Sequence, residues 1–317
     1  MREHNSKWSM GGRVIDLAPF TVMGIINVTP DSFSDGGRFY AADKALAHAG
    51  ELVEAGAAIL DIGGESTRPG SFPVSAEEEK RRVLPLVREL TRVAAGKNDP
   101  ARALISVDTW RGSTADAALE AGADIINDIS GGLFDEAMAD VLASRKPGCI
   151  LGHCPEKPAT MQKAPHYADV VEAVYAFFAD RLERLEKKGL AADYVALDPG
   201  LGFGKTLRHN LALLRDLGEE KSRLHSLGRP ICIGLSRKTM LSELLGLPKG
   251  PFKFWEANQP DSLGAAASHL ERDAATQVFS ALLLERGVFL HRVHAVSGTW
   301  NALRLAWVLE HFNIENV

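Results

Sequence analysis

The sequence has few cysteines, no strong excess of charge and no long apolar run. Its 317 residues include three cysteines, an odd number, and none of them stands in a C-x-x-C pair. A disulfide framework or a zinc knuckle is therefore disfavoured, as expected for a reduced, cytoplasmic protein. No window reaches the ~18 consecutive apolar residues that span a bilayer. Residues 1–12 are polar and lack the apolar stretch of a signal peptide.

A basic surface is also missing. The formal net charge is −5, and lysine and arginine never form a run interleaved with aromatic residues. Binding to nucleic acid needs a basic face, so no nucleic-acid partner is expected. Apolar residues make up 45% and charged residues 24% of the chain, which is typical of a globular protein with a proper core.

Short apolar runs alternate along the chain with longer stretches of helical pattern. In the strand-like runs the apolar residues are consecutive, as in parallel strands that are buried on both faces. Helical stretches such as residues 43–55 end at a glycine, a signal for the C-terminal end of a helix. Strands are predicted at residues 21–27, 59–63, 104–108, 125–128, 149–153, 194–198, 231–235 and 289–294.

This alternation predicts an α/β fold in which crossover helices join parallel strands. Eight strands in a chain of this length favour a single-domain (β/α)8 TIM barrel, which typically needs about 250 residues. The barrel is predicted over residues 21–317, with an N-terminal extension over residues 1–20 and an insertion near residues 249–262. Periodicity alone leaves an open parallel sheet as the alternative.

Nearly every predicted strand ends in a polar residue. A single residue of this kind is usually a helix cap or a turn former. In a barrel, however, the carboxyl ends of all the strands meet at one face, where active sites lie. The set therefore predicts a site at the barrel mouth. Its members are Asn27, Asp61, Asp108, Asn127, Asp128, His153, Asp198, Ser236 and His294.

Two glycine-rich loops carry a specific resemblance. Residues 27–36 read N-V-T-P-D-S-F-S-D-G and residues 63–70 read G-G-E-S-T-R-P-G. They resemble the two signature loops of the dihydropteroate synthase family. The resemblance continues, in the order of the family, through S-V-D-T (106–109), N-D-I-S-G (127–131), D-P-G-L-G-F-G-K (198–205), S-R-K-T (236–239) and R-V-H (292–294).

The resemblance implies a transferase of folate biosynthesis. Such an enzyme joins para-aminobenzoate to 6-hydroxymethyl-7,8-dihydropterin pyrophosphate by an SN1-like displacement, with Mg²⁺ as cofactor, and forms 7,8-dihydropteroate and pyrophosphate. It also implies a homodimer and competition by sulfonamides, which mimic para-aminobenzoate. The catalytic residues implied are Asp35, Arg68, Lys238, Arg292 and His294.

The same resemblance assigns side chains to each part of the substrates, and their chemistry fits. Carboxylates and an amide suit the guanidine-like edge of a pterin, and an arginine fork suits a phosphate. Pterin binding is expected at Asp108, Asn127, Asp198, Phe203 and Lys238. Pyrophosphate binding is expected at Asn27, Arg68, Arg292 and His294, with Asn27 also the ligand of Mg²⁺. Para-aminobenzoate binding is expected at Phe33, Thr67, Pro69, Phe203, Ser236 and Thr239.

Two positions depart from the family pattern. Gly152 precedes His153 where the family usually has a methionine that packs on the pterin, so a gap beneath the ring is expected. Ala295 follows His294 where the family commonly has an aspartate. Both leave open a paralogue that binds pterins without turnover. A methyltetrahydrofolate:corrinoid methyltransferase is a further alternative, although it has no use for a pyrophosphate clamp.

Two other patterns are given ordinary interpretations. Cys154 lies beside a histidine at a strand end, but without a clear base it is predicted to be a pocket residue, or one packed behind the pocket side chains, rather than a nucleophile. Residues 77–82 form a charge run, which is typical of the solvated start of a helix.

Overall fold

The computed structural model describes residues 4–28, 38–67, 70–97, 102–246 and 267–311. In these residues eight parallel strands form a barrel, and a two-stranded antiparallel hairpin precedes it. The hairpin strands are β1 (Lys7–Met10) and β2 (Arg13–Asp16). The barrel strands are β3 (Thr21–Asn27), β4 (Ile59–Gly63), β5 (Leu104–Asp108), β6 (Ile125–Asp128), β7 (Gly148–Gly152), β8 (Val195–Asp198), β9 (Cys232–Ile233) and β10 (Leu290–Val293).

Helices connect the strands and cover the outside of the barrel, as the alternating pattern predicts. They are α1 (Arg38–Glu54), α2 (Ala76–Lys97), α3 (Gly112–Glu120), α4 (Ala137–Arg145), α5 (Val170–Lys187), α6 (Leu207–Asp216), α7 (Thr239–Leu245), α8 (His269–Leu284) and α9 (Val296–His311). Among the described helices, none has both the length and the apolar character needed to cross a membrane.

The hydrogen-bonded strands follow the order β8-β7-β6-β5-β4-β3-β10-β9. The barrel closes between the two ends of this order, β8 and β9. Between β8 and β9, a single parallel bridge joins Leu197 to Ile231. Strand β9 is shorter than the predicted run over residues 231–235, and the α/β barrel is otherwise confirmed.

The hairpin packs against the amino-terminal ends of the barrel strands. Trp8 is fully buried, and its indole N–H donates to the carbonyl of Tyr194 at 2.8 Å, immediately before β8. Met10 is buried against Gly148 at the start of β7, where a Cβ would lie 2.8 Å from its Cε. Residues 7–16 are thus part of the packed structure, a feature not predicted for the polar extension.

Helix α2 begins at Ala76, so the charge run over residues 77–82 forms its start, as predicted, but the run is not wholly solvated. Glu79 is only 1% exposed. Its carboxylate accepts a hydrogen bond from the Thr114 hydroxyl at 2.7 Å and lies 3.1 Å from the Arg111 guanidinium. Burial raises the pKa of Glu79, and its hydrogen bond to Thr114 opposes the rise. Helices α2 and α3 are therefore joined by a buried polar contact.

Candidate active site

Four of the nine predicted strand-end residues, Asn27, Asp108, Ser236 and His294, line one large cavity at the carboxyl end of the barrel. Its volume is about 1230 Å³. The register of the sheet places the last residues of neighbouring strands side by side, with Gly63 opposite Asp108 and Asp108 opposite Asn127. The predicted site residues that line the cavity are Asn27, Thr67, Asp108, Phe203, Ser236, Lys238, Thr239, Arg292 and His294.

A buried ion-pair network forms the floor of this cavity. The Nε of Arg292 donates to Asp61 at 2.6 Å, and its Nη2 donates to Asp108 at 2.6 Å. Burial raises the pKa of Asp108 to about 7, although the charge of Arg292 opposes the rise and that of Asp61 adds to it. One guanidinium therefore contacts the predicted pterin carboxylate while itself being predicted to bind pyrophosphate.

Asp61 was predicted at the barrel mouth, but no substrate or catalytic role was assigned to it. It is 0% exposed. Besides Arg292, its carboxylate accepts a hydrogen bond from the Ser106 hydroxyl at 2.7 Å and one from the Asn127 amide at 3.2 Å. Because the Nδ2 of Asn127 is used in this way, its Oδ1 remains as the acceptor for a ligand. The sequence feature that could have revealed this role is the presence of an aspartate within an otherwise apolar strand.

Lys238 lines the cavity, and Asp198 lies against Gly234, another lining residue, where a Cβ would be 3.3 Å from an Asp198 oxygen. An oxygen of Asp198 accepts from the backbone N–H of Gly200 at 2.8 Å. The Lys238 ammonium donates to the carbonyl of Leu201 and lies 3.9 Å from the centre of the Phe203 ring. Burial lowers the pKa of Lys238 to about 8, and the charge of Asp198 opposes this. Lys238 is therefore close enough to Asp198 to feel its charge and lies over Phe203, so these predicted pterin residues are neighbours.

Ser236 and His294 meet at the wall between β9 and β10. The Ser236 hydroxyl lies 3.0 Å from Nδ1 of His294 and accepts from its backbone N–H at 3.2 Å. Thr239 is the first residue of α7, three positions further along the chain. These side chains bring the predicted pyrophosphate and para-aminobenzoate subsites next to each other.

A buried lysine holds the loop that carries Phe203 against the end of β7 by hydrogen bonds. The Nζ of Lys205 lies 2.8 Å from His153 Nδ1 and 3.0, 3.1 and 3.0 Å from the carbonyl oxygens of His153, Gly200 and Phe203, so its N–H groups are shared among these four atoms. Burial lowers the pKa of Lys205 to about 7. Sequence reasoning placed this lysine in a family motif without giving it a role, and its contacts link β7 to the loop after β8.

Cys154 lies beside this lysine and is fully buried. Its thiol donates to the carbonyl of Glu156 at 2.9 Å. Burial raises the pKa of the Cys154 thiol to about 11, which disfavours the thiolate needed for nucleophilic attack. These properties agree with the prediction that this cysteine is not a nucleophile, and they place it behind the residues that line the cavity.

The expected gap at Gly152 is not present. A Cβ at this position would lie 2.6 Å from the carbonyl oxygen and 2.7 Å from the Cα of Ile129. The backbone after β6 therefore fills the space that a side chain would occupy, and the expectation was wrong. Ala295 immediately precedes α9, where its carbonyl accepts from the N–H of Thr299 at 3.2 Å.

Part of the predicted site lies outside the described residues. Phe33, Asp35, Arg68, Pro69 and the whole of the predicted insertion near residues 249–262 fall in this group. The assignments made to them remain predictions.

The donor set at the cavity decides how a metal ion could bind. Among the described residues, no group of three or more histidine, cysteine, aspartate and glutamate side chains could hold a metal. Asn27, which lines the cavity, offers a hard amide oxygen. Mg²⁺ commonly takes few protein ligands and completes its shell with water and substrate phosphate oxygens, so this donor set fits it.

Comparison with known proteins defines the class of this barrel. Residues 23–294 match the family described as pterin binding enzyme. That span is most of the chain, and the protein therefore belongs to the family of pterin-binding enzymes.

Its relatives narrow the family further. The dihydropteroate synthase of Escherichia coli K12 is 38% identical over 294 residues, which cover 93% of each chain. A structure of Xanthomonas albilineans dihydropteroate synthase with 4-aminobenzoic acid has a TM-score of 0.80 at 37% identity, with 97% of this chain and 99% of that chain covered. A second structure of that enzyme, in complex with 7,8-dihydropteroate, has a TM-score of 0.76 at 36% identity and covers 97% and 100%. Within the pterin-binding enzymes, the chain falls among the dihydropteroate synthases, which are transferases.

Proposed function

We propose that this protein condenses 6-hydroxymethyl-7,8-dihydropterin pyrophosphate with para-aminobenzoate to form 7,8-dihydropteroate and pyrophosphate. The observation that carries the proposal is the network of Asp61, Asp108 and Arg292 on the cavity floor. It puts a carboxylate suited to the N–H edge of a pterin beside a cation suited to a phosphate. Such a pairing is needed when one substrate carries both groups.

The pterin is assigned to the deepest part of the cavity. Asp108 and Asp198 would accept from its N–H groups, and the Oδ1 of Asn127 would accept beside them. The Lys238 ammonium would turn from the carbonyl of Leu201 to the ring oxygen of the pterin. Phe203, which already lies 3.9 Å from that ammonium, would cover the ring.

The reaction requires the bond between the methylene carbon and the pyrophosphate oxygen to break. The leaving group keeps the electron pair, the nitrogen of para-aminobenzoate forms the new C–N bond, and that nitrogen then loses a proton. Arg292 and His294, with Arg68, would stabilise the charge that develops on pyrophosphate. Asp35 would lie near the cationic methylene carbon.

Para-aminobenzoate is assigned to the mouth of the cavity. Thr67, Ser236 and Thr239 line the cavity and offer hydroxyl groups. Phe33, Pro69 and Phe203 are assigned to the ring. This arrangement would point the amine at the methylene carbon while sulfonamides compete for the same position.

Asn27 is the proposed protein ligand of Mg²⁺, together with pyrophosphate oxygens and water. When bound, Mg²⁺ would supply positive charge to the leaving group. The chain's own contribution is to hold the phosphates within reach of Arg292 and His294.

A homodimer in the cytoplasm completes the proposal. Large exposed apolar side chains concentrate on α8 and α9, where burial against a second copy would remove them from water. They are Leu270, Val278 and Leu282 on α8, and Leu305, Trp307 and Leu309 on α9. The free thiols of Cys149, Cys154 and Cys232 fit a reducing compartment. Light scattering of the purified protein tests the dimer.

The test of the reaction is product formation from both substrates with Mg²⁺, beside an Arg68→Ala variant and a chelator control. We expect dihydropteroate from the wild type and a large loss of kcat/KM both in the variant and after chelation. Binding of the pterin pyrophosphate without any product would contradict the proposal and favour a pterin-binding paralogue.

A further inference from the structure

The backbone at Arg237 is in an unusual conformation. Among the described residues other than glycine, only Lys146 and Arg237 have positive φ, at 51° and 58°. Lys146 follows the last turn of α4, where a left-handed residue commonly ends a helix. Arg237 lies between β9 and α7, so no preceding helix end explains it. The left-handed region is costly for a residue with a Cβ.

Two side chains from α8 hold Arg237 in place. Asp273 accepts from Nε and Nη2 of Arg237, both at 2.8 Å, in a two-pronged ion pair. The guanidinium of Arg272 donates to the backbone carbonyl of Arg237 at 3.0 Å. The hydrogen bonds to Asp273 raise the pKa of Arg237. Both the side chain and the backbone of this one residue are therefore tied to the same helix.

The residues on either side of Arg237 reach opposite walls of the cavity. Before it, the Ser236 hydroxyl lies 3.0 Å from Nδ1 of His294 on the β10 side. After it, the Lys238 ammonium reaches the carbonyl of Leu201 in the loop that follows β8. The conformation of residue 237 thus sets the offset between Ser236 and Lys238. In the proposed function these two residues bind para-aminobenzoate and the pterin.

We infer that Asp273 is a positioning residue for the condensation: from α8 it holds Arg237 in the left-handed conformation that aligns Ser236 with Lys238, and so aligns the two substrates. This inference rests on the proposed function. Asp273 is buried and acts through Arg237 without contact to substrate. Misalignment of two reacting groups lowers the rate of the chemical step more than it weakens binding.

The experiment compares Asp273→Asn, Arg237→Gly and the double variant, with kcat and both KM values measured on the full-length protein. Asparagine keeps the size of the side chain but removes its charge, and we expect kcat to fall about 10- to 100-fold with smaller changes in KM. Glycine adopts positive φ without a Cβ penalty. The double variant, which needs no ion pair to hold residue 237, should therefore recover most of the lost kcat.

Glu172→Gln is the matched control. Glu172 forms a similar two-pronged pair with Arg223, at 2.6 and 2.9 Å, but on the exposed surface. Its kcat should equal that of the wild type. Thermal unfolding of every variant separates a loss of folded protein from a loss of turnover. A role confined to stability would lower Tm and leave kcat per folded molecule unchanged.

The outcomes distinguish this inference from the function on which it rests. A wild type that forms no dihydropteroate would overturn both. An active wild type together with an Asp273→Asn variant of normal kcat would overturn the inference alone. A double variant as slow as Asp273→Asn would do the same, because relief of backbone strain would then have no effect.

Discussion

Arg292 and Asp61 lie 231 positions apart in the chain, and the Nε of the arginine is 2.6 Å from a carboxylate oxygen of the aspartate. A carboxylate that is fully buried needs such a partner, because removing a charge from water costs several kcal/mol. The pair also fixes the direction of the guanidinium, whose Nη2 then meets Asp108. The orientation of a proposed substrate-binding cation is thus set by a residue beneath the cavity.

The first prediction concerns Asp61→Asn. This change keeps the volume but leaves Arg292 with Asp108 as its remaining carboxylate, and it lets the Asn127 amide rotate. We expect kcat/KM for the pterin pyrophosphate to fall about 10- to 100-fold, equivalent to ~1.4–2.7 kcal/mol. Steady-state kinetics with a circular-dichroism check of folding measures this. Ser106→Ala, which removes a neutral hydrogen bond to the same carboxylate, should have a smaller effect. Equal effects of the two changes would argue against the importance of the charge.

The second prediction is a bell-shaped dependence of pterin affinity on pH. Asp108 must be ionised to accept from the pterin, and burial raises its pKa to about 7, so affinity should fall as the pH drops below that value. Lys238 must be protonated to donate, and burial lowers its pKa to about 8, so affinity should also fall above that value.

Calorimetric Kd values from pH 5.5 to 9.5 would test this pH dependence. Lys238→Arg should move the alkaline fall to higher pH, because the guanidinium stays protonated. An Asp108→Asn variant should lose the acidic fall. Persistence of that fall in the variant would assign it to another group.

The third prediction concerns Gly152→Met, which installs the residue usual in the family. A gap beneath the pterin would make this change favourable. The Cβ would instead lie 2.6 Å from the carbonyl oxygen of Ile129, so we expect the free energy of unfolding to drop by ~1–3 kcal/mol through overpacking. Urea denaturation checks the value, with Gly152→Ala as the smaller step. Tighter pterin binding at unchanged stability would show that the loop after β6 gives way easily.

The fourth prediction concerns Ala295→Asp. Ala295 immediately precedes α9 and has no side-chain oxygen to accept from the free N–H groups of the first turn. Aspartate would provide that acceptor, and we expect the free energy of unfolding to rise by ~1 kcal/mol. Guanidinium denaturation is the measurement, and Ala295→Asn should give a similar gain without a charge. No change in either variant would mean that the start of the helix is already satisfied.

Local patterns predicted the barrel well. The bounds of β3, β4, β5 and β6 agree with the predicted runs because each is a mainly apolar segment that ends at a polar or glycine residue at the carboxyl end of the barrel. Strand β9 stops sooner, and Gly234 just beyond it lies against Asp198 and Arg292 at the cavity wall. The early end of β9 thus depends on residues of other strands, which the local sequence does not show.

The features that sequence reasoning missed depend on contacts between distant parts of the chain. Trp8 is buried only because the ends of β7 and β8 meet over it, and a four-residue strand is too short to show a clear period. The role of Asp61 depends on Arg292 at the other end of the barrel. The left-handed conformation of Arg237 could not be predicted, because the residues that usually adopt positive φ are glycine and asparagine and this position is an arginine.

The single bridge between Leu197 and Ile231 makes one side of the barrel a seam. Asp198 follows Leu197 on β8, and Lys238 lies shortly after β9, so the two proposed pterin ligands stand on opposite sides of it. A pterin bound by both residues would link β8 and β9, which are joined by a single bridge. Substrate binding would therefore stabilise the side of the barrel with the least strand pairing, and amide hydrogen exchange along β8 and β9 would slow when the site is occupied.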